Sequence, residues 1–181
     1  MRRLFAPGLV LALALFVLGP ASGLAASGSQ SYQLHLELPN VSQASNGDRV
    51  SVTGQWEFAI HPKSATASGR FVHTDSSGTV LAAGTWTATD LLEFQPYGCG
   101  VVQTTPLPPN FCGGAVKMNV TLTPGGTSLA IPGTLTVFCI IGPNPPNSHD
   151  DPTGEGIHLV VPGIANFNEI VSGMNMYIRQ S

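Results

Sequence analysis

Charge is scarce in this chain: 9% of its 181 residues are charged, ten acidic and seven basic. No basic face of the kind that neutralises phosphates can be built from so few cations, which argues against a nucleic-acid binder. Helix formers are diluted by 21 Gly and 15 Pro, leaving little room for long helices. Beyond the N-terminus no apolar run approaches the ~18 residues of a membrane-spanning helix. Three Cys leave one unpaired at most pairings. What is present is apolar: 43% of residues are hydrophobic, too many for a disordered chain.

Residues 1–26 have the three parts of a secretory signal. Arg2 and Arg3 open it, residues 9–18 are apolar, and small residues around Gly23 and Ala25 suit a cut after Ala25 or Ala26. Arg2-Arg3-Leu4-Phe5 also resembles a twin-arginine core, but the Leu-rich centre favours the general secretory route. Removing the leader leaves five basic against ten acidic residues, a balance of −5. Residues 27–181 are therefore expected to be one domain, with no transmembrane segment after cleavage, in the periplasm, at the cell surface or secreted. The composition looks bacterial, so the Asn-x-Ser/Thr triplets at Asn40 and Asn119 are taken as chance.

After the leader the chain reads with period two. Tyr32, Leu34, Leu36 and Leu38 alternate with polar residues. Val50, Val52, Gly54, Trp56, Phe58 and Ile60 do the same without a fault. Successive strand side chains point to opposite faces, so this pattern means one buried and one wet face, as in antiparallel sheets. Further strands are expected over 69–74, 79–89, 91–97, 116–122, 134–141, 157–161 and 174–179. Turn formers such as Asn46-Gly47-Asp48 and Pro124-Gly125-Gly126 separate them. The expected fold is all-β: a single antiparallel meander of about eight or nine strands. Glycines among the large inward residues, at Gly54, Gly69 and Gly84, favour a β-barrel over a β-sandwich, since inward Gly relieves crowding where a sheet coils.

Two long loops, 98–114 and 142–156, interrupt the meander. Strand parity places both at the same end. The first holds Cys99 and Cys112, expected to be a disulfide; Cys112 with Cys139 is the competing pairing. Cys139 otherwise reads as a small buried apolar residue, in phase with Leu135 and Val137.

No nucleophile elbow, phosphate loop or dinucleotide fingerprint occurs, so no cofactor is called for. The five His lack metalloprotease spacing, and no metal site is assigned. His149, Asp150 and Asp151 do not fit a calcium loop and read as a solvated acidic turn. Trp56, Phe58 and Trp86 share the inward phase, and His73 is in phase with Phe71. These four are the candidate lining of a pocket for a small apolar ligand. A filled core, in which Trp covers the gaps left by Gly, is the competing account of the same residues.

The outline resembles the calycin-like and allene-oxide-cyclase-like barrels, exported meanders with Trp inside. No motif matches residue by residue, since Gly54-Gln55-Trp56 lies in the second expected strand, so no site or activity is carried over. The function expected is a secreted binding or surface interaction protein for a small hydrophobic ligand. The alternatives are a small isomerase- or cyclase-like enzyme using His73 or an inward carboxylate as its acid–base group, and a structural envelope protein with no site.

Overall fold

A computed structural model describes residues 30–145 and 154–180. The expected signal peptide and the His149-Asp150-Asp151 turn lie outside these residues. Among the described residues there is no helix. Twelve strands occur: β1 (Ser31–Leu36), β2 (Asn40–Ala44), β3 (Arg49–Ile60), β4 (Lys63–Thr74), β5 (Val80–Cys99), β6 (Val101–Val102), β7 (Thr105–Pro106), β8 (Phe111–Pro124), β9 (Ile131–Cys139), β10 (Gly156–Val161), β11 (Ala165–Ser172) and β12 (Asn175–Arg179).

The all-β antiparallel meander is present. Strands β2, β3, β4, β5, β8, β9, β10 and β11 each pair with the next, and β11 pairs back to β2. The result is a ring of eight strands in chain order. The short β6–β7 hairpin sits outside it, within the loop from β5 to β8. The remaining strands, β1 and β12, pair with each other and bridge from β3 to the start of β8. They make a second, six-membered circuit with β4 and β5.

Period-two alternation explains the core. On β3, Val50, Val52, Trp56 and Phe58 are buried; on β8, Val116, Met118, Val120 and Leu122 are. Inside the six-membered circuit, Tyr32, Phe58, Phe94 and Tyr177 converge from four strands, with ring centroids 4.9–5.9 Å apart. The Tyr177 hydroxyl is buried but satisfied, donating to the Val137 carbonyl at 2.7 Å.

The elements differ from the sequence reading in several places: β4 begins at Lys63 rather than 69, and β8 at Phe111 rather than 116. The strands expected over 79–89 and 91–97 are one strand, β5, which continues through three bulges at Ala88/Asp90, Leu91/Glu93 and Pro96/Gly98. Each bulge shifts the phase, which imitates a break between two strands. Strands β2 and β11 were not expected at all, and they are the pair that closes the ring.

The ring has two unlike ends. Four tight connections, β2–β3, β4–β5, β8–β9 and β10–β11, lie at one end. At the other, β1 and β12 run across, and both long loops arrive there as strand parity implied. These loops touch: the Gly142 N–H donates to the Val101 carbonyl at 2.7 Å. The described ends of both long loops therefore lie at the end that β1 and β12 cross, and the open mouth lies opposite.

Candidate functional site

Of the four candidate pocket residues, Trp56 and Trp86 are brought together, while Phe58 and His73 lie elsewhere. Trp56 and Trp86 pack edge-to-face, with centroids 5.4 Å apart, and both are buried. Trp86 faces a glycine row: Gly54 is opposite Gly69, and Gly69 is opposite Trp86. A Cβ at Gly69 would lie 1.8 Å from the Thr53 carbonyl oxygen and 2.7 Å from Trp86 Nε1. The indole thus occupies the room that the glycines leave, and its N–H donates to the Thr53 carbonyl at 3.1 Å. Phe58 belongs to the aromatic cluster of the six-membered circuit. Trp56 borders a recess of about 250 Å³ with Gln33, Gln55 and Thr66, and His73 stands at a different opening.

That opening is the mouth of the ring. An apolar cup of about 60 Å³ is lined by Val50, Phe71, Ala82, Leu122, Val161 and Phe167. His73 sits at its edge, half-buried, with its ring 5.2 Å from Phe167 and Nε2 3.1 Å from Asp48 Oδ2. Ile164, on the β10–β11 turn, also borders the cup and is 56% exposed. Val50, Phe71, Ala82, Leu122 and Val161 lie in the inward phase of strands expected from the sequence, although the expected pocket was placed at Trp56, Phe58 and Trp86; Phe167, on the unexpected β11, and the partnership of His73 with Asp48 were not legible.

Comparison with known protein families, curated proteins and solved structures finds no match. The chemistry must be read from the side chains alone.

The cysteines take the preferred pairing. Cys99 and Cys112 form a disulfide, and Cys139 is free and buried. Its thiol donates to the Asn175 carbonyl at 3.0 Å and hydrogen-bonds the Glu155 carboxyl group. Burial, reinforced by Glu155, pushes its pKa up to about 12. A thiol held neutral in this way is a poor nucleophile.

Cys139 belongs to a polar plug at the end that β1 and β12 cross. Asn175 is buried, and its Nδ2 faces Asn40 Oδ1 at 3.0 Å, the Phe138 carbonyl at 2.8 Å and the Gly156 carbonyl at 3.2 Å. Its N–H donates to Glu155 Oε1 at 2.5 Å. Burial pushes the Glu155 pKa up, against the pull of that N–H and the Cys139 thiol. Asn175 therefore fastens β12 to the ends of β2, β9 and β10. This plug was missed in sequence because Asn40, Glu155 and Asn175 lie far apart along the chain.

A wide concavity lies outside the ring. A trough of about 590 Å³ crosses β5, β8, β9 and β10 on their outward faces. Glu93 is opposite Lys117, Lys117 opposite Thr136, and Thr136 opposite His158. Among the described residues, three or more His, Cys, Asp or Glu side chains nowhere gather as a metal site would require.

Proposed function

We propose that this is an exported binding protein that takes the apolar end of a small amphipathic ligand in the mouth of the ring. The observation that carries this reading is the cup itself, an accessible apolar recess with the His73–Asp48 pair on its edge. Burying an alkyl or aryl terminus there removes apolar surface from water, at roughly 25 cal/mol per Å². The His–Asp pair offers a donor and an acceptor to a polar head group. The cup is far smaller than the roughly 300–1,000 Å³ of a whole-ligand pocket, so the body of the ligand stays outside, against Ile164 and the neighbouring turns. The disulfide is consistent with export to an oxidising compartment.

The test is a titration with straight-chain alcohols and carboxylic acids of increasing length, followed by tryptophan fluorescence and calorimetry. Affinity is expected to rise with chain length and level off once the cup is full. Ala82→Leu, which fills the cup from β5, is expected to abolish binding while circular dichroism stays unchanged. Binding that ignores chain length, or survives Ala82→Leu, overturns the reading.

A further inference from the structure

The exterior of a closed ring is ordinarily convex, yet five strands here border a trough of about 590 Å³. Bulges occur in the two strands that flank it. Strand β5 has three and β11 has two, and each bends its strand and sharpens the local twist. The volume falls within the range of small-molecule sites.

The row Glu93, Lys117, Thr136, His158 runs across four neighbouring strands. At about 4.8 Å between strands it spans about 14 Å. Glu93 and Lys117 are directly opposed and both exposed, yet they form no ion pair; among the described residues, that contact occurs at His73–Asp48. Their carboxylate and ammonium groups keep their capacity to bind a guest. One step along the strands, Gln95 supplies an amide, and Phe138 packs edge-on to His158 at 4.8 Å as an apolar strip in the floor.

These features narrow the guest. Strands β8, β9 and β10 are paired on both sides, so the trough offers side chains and no free main-chain edge for an added peptide strand. One acidic and one basic group oppose each other, so neither a polyanion nor a polycation is drawn in by the local field. Beside the apolar Ala115, Phe138 and Val160, the walls carry carboxylate, ammonium, amide and hydroxyl groups, a set that both accepts from and donates to hydroxyl groups. We propose that the trough binds a neutral oligosaccharide, whose hydroxyls meet the Glu93–Lys117–Thr136–His158 row and whose C–H face meets the Phe138 strip. This site is independent of the mouth.

The experiment uses the protein without its leader and a panel of neutral di- to tetrasaccharides built from glucose, galactose, mannose or N-acetylglucosamine. Binding is followed by amide chemical shifts and calorimetry. At least one member is expected to bind, with shifts confined to β5, β8, β9 and β10. Lys117→Ala and Glu93→Gln are each expected to weaken it about tenfold, the loss of one charge-assisted hydrogen bond. Both are exposed surface changes that leave the fold intact, which the dispersion of the amide spectrum checks. Ala82→Leu at the mouth is expected to leave saccharide affinity unchanged. No binding at millimolar saccharide overturns the proposal. So does binding whose shifts fall elsewhere or which survives the Glu93→Gln/Lys117→Ala double variant.

Discussion

Trp86 shows how a single side chain decides between a hollow and a filled interior. Its indole packs over the Gly54–Gly69 pair and against Trp56, so the missing side chains mark its seat and leave no void there. Gly69→Ala would force a Cβ against the Thr53 carbonyl and the indole N–H at once. Urea unfolding followed by tryptophan emission is expected to show a loss of about 3 kcal/mol, the upper end for overpacking. A variant as stable as the parent would mean that β3 and β4 separate easily at this point. The inward phase of these residues was legible in sequence. Which of them would fill the space was not, because that depends on cross-strand partners that alternation alone does not name. Cys139 carries a second prediction at this scale. Its neutral, buried thiol is expected to resist iodoacetamide in the native protein at pH 8 and to react on unfolding, while Cys99 and Cys112 react only after reduction. Mass spectrometry of the digested adducts checks it.

At the level of elements, the two strands absent from the sequence reading have a common cause. On β2 the inward positions are Asn40, Ser42 and Ala44, and on β11 only Phe167 is buried. Inward polar residues invert the expected pattern. They are tolerated because each is bonded: Asn40 to Asn175, and the Ser42 hydroxyl to the Ile157 carbonyl on β10. Two bulges in β11 then remove what phase remained. The eleven-residue alternation of β3, by contrast, was legible because one face meets only apolar partners. The loop from β5 to β8 is closed at its base by the disulfide, which pairs residues directly opposite in the ladder. Replacing both Cys99 and Cys112 by Ser is expected to cost about 3 kcal/mol, as for a loop of similar length. Thermal unfolding of the parent with and without reductant should reproduce the same loss. A much smaller loss would mean that the ladder between β5 and β8 already holds the loop in the unfolded ensemble.

For the molecule as a whole, the polar plug ties the ring's stability to pH. Glu155 links the start of β10 to the first residue of β12, and burial raises its pKa in the folded protein above the ordinary value of about 4.3. Between those two values the folded chain holds a proton that the unfolded chain has released. Stability therefore falls as pH rises through that window, stays reduced above it, and recovers on acidification. Glu155→Gln keeps an oxygen to accept the Asn175 N–H and removes the titration. The difference in unfolding free energy between parent and variant is expected to grow in the variant's favour as pH climbs past about 4.3 and then to level off. Urea melts at half-unit steps from pH 4 upward measure it. Parallel curves would mean that solvent reaches the carboxylate freely. Asn175→Ala bears on the same joint from the other side. It strips the amide from Asn40 and from two carbonyls of β9 and β10, leaving buried groups unbonded at roughly 1–3 kcal/mol each. If the plug unites the two circuits, this variant unfolds in one transition at lower denaturant. If β1 and β12 are a separable bridge, they melt first, and the aromatic cluster of Tyr32, Phe58, Phe94 and Tyr177 loses its near-ultraviolet signal before the eight-strand ring gives way.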